Sequence, residues 1–177
     1  MKRTLFQALV ACISILAATA HAADGTINFK GSIIGTTCRI AVNGTVAPAA
    51  ATVTLPPVGD SLLNAVGKMA IPTNFDIMLS NCTATGKASA YFEAGPGVDT
   101  ISGHLKNTGT AANVDLQLLD RNNSNAAIRA GQTQAATSRI NFVGGAATLP
   151  YTVQYYALGV ATVGTVTGSV TYSIIYE

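Results

Sequence analysis

Tryptophan is absent from this chain of 177 residues, histidine occurs twice, and Asp, Glu, Lys and Arg make up only 10% of it. Each shortage removes a class of function. Without tryptophan, and with the Tyr and Phe spread along strand-like stretches, no stacking platform for bases or sugars is visible. One histidine, His21, falls in an N-terminal export signal. The other, His104, sits in the turn-like run Ser102-Gly103-His104 and reads as an exposed loop residue rather than a catalytic base. Asp115 and Asp120 are the only acids spaced to suggest a pair, and five residues along a strand place them on opposite faces. Gly95-Pro96-Gly97 and Gly144-Gly145 neither open a helix nor carry a partner lysine, so they are not phosphate cradles. No catalytic residue, metal site or cofactor is expected.

The first residues are an address. Lys2 and Arg3 form a positive start, Leu5 to Ala18 an apolar stretch, and Ala20-His21-Ala22 a small-x-small cleavage site. Residues 1–22 therefore read as a secretory signal, too short and wrongly flanked for a membrane anchor. Leu9-Val10-Ala11-Cys12 is similar to a lipobox, but it would leave only Thr4 to Ala11 as the apolar region. Removing the signal leaves about 155 residues, a size suited to one domain with its own core. Eight basic and eight acidic side chains then remain. Such a neutral chain has no excess charge to hold nucleic acid, and neutrality favours association.

Cysteine use agrees with export. Cys12 leaves with the signal, and Cys38 and Cys82 remain as an even pair in an oxidising compartment. Two cysteines without a histidine cluster are too few for structural zinc. They are expected as a disulfide, with two buried free thiols as the alternative.

What is present is alternation. Thr52-Val53-Thr54-Leu55 alternates until Pro56-Pro57 ends it. Phe75, Ile77 and Leu79 share one face of Phe75 to Cys82, and Ala88 to Glu93 stops at Gly95-Pro96-Gly97. Val114, Leu116 and Leu118 share a face of the stretch that ends at Asp120, followed by the turn residues Asn122-Asn123-Ser124-Asn125. Tyr151, Val153 and Tyr155 are in register within Leu149 to Tyr156, and Asn43-Gly44 is a tight-turn pair. Ser61 to Met69 offers one helical turn or a loop. The Asn-x-Ser/Thr sequons at Asn43, Asn81 and Asn122 are expected as chance occurrences. Short strands between Gly/Asn/Pro turns predict an antiparallel sandwich of immunoglobulin type.

The two ends of the mature chain are unusual. Ser169 to Glu177 alternates up to the last residue, and Gly25 to Ile33 alternates at the start. Chain ends are normally polar and loosely held. Two ends with an apolar face each are expected to exchange strands with neighbours, because an open apolar edge must be covered.

These segments carry a family likeness. Gly25-Thr26-Ile27-Asn28-Phe29-Lys30-Gly31, followed by Ser32-Ile33-Ile34 and Cys38, resembles the mature start of major pilins of the chaperone–usher fimbrial family. The resemblance continues through Pro72 to Cys82, Val114 to Asp120, Leu149 to Ala157, and Tyr172-Ser173-Ile174-Ile175-Tyr176-Glu177. It implies an all-β, incomplete immunoglobulin-like sandwich that lacks its final strand and is completed by a donated N-terminal strand. Residues 23–35 would be the donor extension and 36–177 the pilin domain. Ile27, Phe29, Gly31 and Ile33 would form the donor's inward face. Val170, Tyr172, Ile174 and Tyr176 would line the acceptor groove, with the terminal carboxylate of Glu177 anchoring to basic chaperone residues. The implied partners are other copies of the chain, a periplasmic chaperone, an outer-membrane usher and a tip adhesin subunit. The implied role is a structural subunit of a surface fimbria supporting adhesion. A minor or tip-adaptor pilin is the nearest alternative, then a periplasmic binding module whose N-terminal strand folds onto its own edge, and last a secreted enzyme.

Overall fold

The computed structural model describes Lys30, residues 38–47 and residues 49–177. The signal segment, the donor positions Ile27, Phe29, Gly31 and Ile33, and the boundary at residues 35 and 36 lie outside the described residues. Residues 34–177 make one compact unit. Its strands are β1 (Arg39–Val42), β2 (Thr45–Val46), β3 (Met69–Ser80), β4 (Lys87–Phe92), β5 (Val114–Asp120), β6 (Ala126–Ile128), β7 (Ile140–Asn141), β8 (Ala147–Ala157) and β9 (Tyr172–Tyr176). They form a six-stranded sheet in the order β2-β1-β3-β8-β5-β6 and a three-stranded sheet in the order β7-β4-β9. Every strand pairing in both sheets is antiparallel. The stretch from Ser61 to Met69 opens with a single 3-10 turn, Asp60–Leu63, that buries Leu63, and β3 begins at its end.

Period-two alternation places the core. Phe75, Ile77 and Leu79 of β3, Leu116 and Leu118 of β5, and Leu149, Tyr151 and Val153 of β8 point inward from the large sheet. Ala88, Ala90 and Phe92 face them from β4. At Ala88 and Ala90 the smaller sheet presents small residues to the large ones opposite, which lets the two layers approach. Tyr151 joins the layers directly, since its hydroxyl accepts the Ala90 N–H at 3.0 Å and its ring meets Phe92 edge-on at 5.0 Å. Tyr151→Phe keeps the ring but strands the buried Ala90 N–H, so it is expected to destabilise the subunit by about 1–3 kcal/mol. Denaturant unfolding measures this, and an unchanged midpoint would show that Ala90 has another acceptor.

Local chemistry explains the turns. Asn43 and Gly44 have φ of 45° and 87°, the doubly positive turn that matches strand twist, and they join β1 to β2. Pro72 sits inside a long central strand, where its missing N–H would normally break a ladder. The register of β3 on β8 slips between Ala70 and Thr73, and this bulge accommodates the proline, with Ile71 at φ 52°. Cys38 and Cys82 are bonded, with their Cα atoms 4.2 Å apart. The pairing of Arg39 with Ser80 brings them together, so the bridge clamps the start of β1 to the end of β3.

Candidate functional site

The outer edge of β9, an edge strand of the smaller sheet, is a candidate for binding. Its inner edge pairs with β4 in the register Ala88↔Tyr176, Ala90↔Ile174 and Phe92↔Tyr172. Lys87 and Glu177 exchange both backbone hydrogen bonds, at 2.7 and 2.9 Å, and Glu93 N–H donates to the Thr171 carbonyl. Antiparallel ladders alternate, so the odd-numbered residues of β9 direct their backbone groups toward β4. The same parity continues upstream, where the carbonyls of Thr165 and Thr167 accept from Ala111 and Thr108.

The even-numbered residues point the other way. Val166, Gly168, Val170, Tyr172 and Ile174 make no backbone hydrogen bond among the described residues. The side chains of Val166, Val170, Tyr172 and Ile174 face the core side, because they pair with or continue the parity of the inward-facing Ala88, Ala90 and Phe92. Val166, Val170, Tyr172, Ile174 and Tyr176 are half-buried and pack against the core cluster. The Tyr176 ring also stacks on Phe142, with centroids 6.1 Å apart. Burial pushes the Tyr172 phenol up, so it stays neutral and the lining stays uncharged. The run from Val166 to Ile174, about 30 Å long, therefore combines unpaired backbone with a partly covered apolar face.

A second extended segment borders the same core. Ala51, Val53, Leu55 and Val58 are half-buried against it, while Thr52, Thr54 and Pro56 are exposed. The alternation predicts a strand here, and the segment is extended but joins neither sheet. It is tethered through the Tyr155 hydroxyl, which donates to the Pro56 carbonyl at 3.1 Å. A strand without a ladder partner is what an incomplete sandwich leaves behind.

Val170, Tyr172, Ile174 and Tyr176, singled out from the sequence, thus lie together on one half-buried face. Val166, Gly168 and the segment from Ala51 to Val58 were not singled out as lining. Their parity with Val170 was the available signal. The Glu177 side chain meets Arg139 at 2.8 Å, and its backbone oxygen accepts from the Lys87 N–H. Gly86 makes that approach possible, since a β-carbon there would fall 2.0 Å from the Glu177 carbonyl oxygen.

The expectation that His104 is an exposed loop residue is wrong: it is 7% exposed. The outer face of β5 and β8 carries Gln117, Gln154 and Tyr156, and the loop before β5 folds over it. His104 lies against the Tyr156 ring at 4.3 Å and 3.2 Å from the Gln117 amide nitrogen, while Gln117 accepts from Gln154. Burial lowers its basicity, outweighing the nearby Asp115 and Asp99, and the neutral ring accepts from the amide. The nearest hydroxyl in its own turn, Ser102, bonds Asp99 instead. Asp115 faces this outer cluster and receives the Asn107 N–H. Asp120 points into the core side and caps the turn at Arg121–Asn123 by accepting from Asn122. The two acids stand on opposite faces, as their spacing predicts. Among the described residues no group of three or more His, Cys, Asp or Glu is placed to hold a metal ion.

A sequence model of the family described as FimA, type-1 fimbrial protein A, matches residues 55–177. Major fimbrial subunit SMF-1 of Stenotrophomonas maltophilia is 42% identical over 165 residues, which cover 89% of this chain and 95% of that protein. The F17 fimbrial protein of Escherichia coli is 38% identical over 178 residues, covering 93% of this chain and 96% of the other. Among solved structures, the P pilus rod subunit PapA gives a TM-score of 0.61 at 19% identity, with 79% of this chain and 99% of that chain covered. A chain from a chaperone–usher pilus structure concerned with rod uncoiling also gives 0.61, at 20% identity over 91% of this chain and 100% of the other. At these identities the structural likeness speaks for the fold.

Proposed function

The chain belongs to the type-1 fimbrial protein family, and from that premise we propose that it polymerises into a surface fimbria by donor-strand exchange. The extension at residues 23–35 of one copy lies along the open edge of the next. Ile27, Phe29 and Ile33 fill the half-buried face lined by Val170, Tyr172, Ile174 and Tyr176, and Gly31 fits where the lining is shallow. Burial of the three large donor side chains contributes roughly 5–9 kcal/mol, at about 1.5–3 kcal/mol each. Pairing with the outward backbone groups adds to it.

The observation that carries this reading is the parity of the last run. Val166, Val170, Tyr172 and Ile174 present half-buried apolar side chains and also the backbone groups left without partners among the described residues. A sheet edge of that kind aggregates unless covered. Before assembly, a periplasmic chaperone covers it, an outer-membrane usher exchanges the cover for another subunit, and a tip adhesin subunit occupies the fibre's far end. The role is structural rather than catalytic, and it supports adhesion from the cell surface.

Ile174→Asp tests the groove. A carboxylate on the half-buried face opposes strand docking, because burying an unpaired charge is costly. Fibres counted by electron microscopy and detergent-resistant oligomers on gels are both expected to disappear. Recovery of the variant with the chaperone separates this effect from failure to fold. Normal fibres from a well-produced Ile174→Asp chain would remove the groove from the mechanism.

A further inference from the structure

A cavity of about 170 Å³ lies on the far side of β4 from the open edge, at the crossover from β6 to β7. That crossover is tied to both sheets. Gly131 N–H donates to the Phe92 carbonyl at 2.7 Å, and the Gln134 amide nitrogen donates to the Ala90 carbonyl, so it takes the edge of β4 beyond the short pairing with β7. Asn122, just after β5, donates its amide to the Thr137 carbonyl at 2.7 Å. The cavity is therefore preformed. Two acceptors in its lining lack donors. Asp120 is 2% exposed; its Oδ1 accepts the Asn122 N–H at 2.9 Å, and its Oδ2 has no partner among the described residues. The buried Gln134 Oε1 has none there either. The ion pairs of the described residues, Arg121–Asp76 and Arg139–Glu177, do not include Asp120. A buried acceptor without a donor is costly, and two at one cavity call for a ligand that donates.

We propose that this cavity binds a single sugar ring, whose hydroxyls donate to Asp120 Oδ2 and Gln134 Oε1. The inference does not depend on donor-strand exchange, because one copy of the chain forms the whole cavity. The space holds about five or six waters at roughly 30 Å³ each, and it falls below the roughly 300–1,000 Å³ of sites for drug-sized ligands. One ring is the scale it fits. Its lining contains one acid, Asp120, and one base, Arg129, whose guanidinium donates to the Ile101 carbonyl. A balanced lining suits a neutral ligand better than an ion of either sign. A neutral molecule that brings several adjacent donors is a polyol. A sugar ring also has a C–H face, and Ile128 and Ala135 give it an apolar wall, so no aromatic platform is required. Asn123 and Ser138 line the same space and supply an amide and a hydroxyl for the remaining ring oxygens.

Saturation-transfer NMR on the chaperone-bound subunit and on fibres of the full chain tests this, with D-glucose, D-galactose, D-mannose, N-acetyl-D-glucosamine and methylammonium as probes. At least one sugar is expected to receive saturation in both forms. Ala135→Leu fills the cavity from an exposed position and removes no side-chain hydrogen bond, so it is expected to abolish the transfer while fibres still form. Asp120→Asn keeps an oxygen for the Asn122 N–H but turns the free acceptor into a donor, and is expected to weaken sugar binding by roughly tenfold or more. Recovery with the chaperone shows that this variant folds, and Ala135→Leu carries the test if it does not. Absence of transfer to every sugar means that water alone fills the cavity, and it overturns the inference. Transfer that survives Ala135→Leu places the sugar elsewhere and overturns it as well. So does methylammonium binding that Ala135→Leu abolishes while no sugar binds, since the site would then serve a cation.

Discussion

Deleting residues 23–35 while keeping the signal segment is expected to abolish fibres from that chain altogether. Its groove would still be intact, because the run from Thr165 to Glu177 and the segment from Ala51 to Val58 lie outside the deletion. In the proposed mechanism, what disappears is the strand that covers the groove of a neighbour. The lost apolar burial alone amounts to roughly 5–9 kcal/mol per joint, and at about 1.4 kcal/mol per tenfold that removes at least three powers of ten of affinity. The deleted chain can accept a strand but cannot donate one. Co-produced with the full-length chain, it is therefore expected to end growing fibres, and mean fibre length should fall as its share rises. Electron microscopy and detergent-resistant ladders report both effects. Fibres of ordinary length from the deleted chain alone would sink donor-strand exchange for this protein.

Replacing Cys82 by Ser is expected to lower the yield of folded subunit severely. The bridge closes a loop with a sequence separation of 44 residues, and the chain-entropy relation gives about 4 kcal/mol for that length. Domains of this size are commonly stable by only about 5–15 kcal/mol. A sandwich still missing a strand starts from less. The position of the bridge adds a second effect. It clamps β1 to the end of β3, and β1 with β2 leads into the segment from Ala51 to Val58 that packs against the same core as the last strand. Loss of the clamp therefore loosens the region that must receive a strand as well as the body of the fold. Periplasmic subunit yield and fibre number are both expected to fall, and growth with a thiol reductant should reproduce the defect in the unaltered chain. Unchanged yield would make the bridge dispensable.

Much of this architecture was legible because alternation is a local property. Phe75, Ile77 and Leu79, then Val114, Leu116 and Leu118, then Tyr151, Val153 and Tyr155 all turned inward as their spacing predicts. Asn43-Gly44 closed a hairpin because few other pairs tolerate two positive φ angles in succession. The residues that escaped are those whose surroundings come from distant parts of the chain. His104 sits in a turn-like run, and nothing local says that the loop folds across Gln117 and Tyr156. Thr52 to Leu55 has the pattern of a strand, but pattern cannot say that its ladder partner is missing.

The sequence by itself determined an exported all-β domain with one cysteine pair, no visible catalytic set and an alternating apolar pattern at each end of the mature chain. Those features depend on residue type and on the two-residue period of an extended chain. Only the tertiary structure decided which edge of the last strand is open. Side-chain parity is set along the chain, but the direction of each N–H and C=O acquires meaning only when a neighbour takes one side. Here β4 takes the odd-numbered groups, and the even-numbered ones remain outward above the same half-buried side chains.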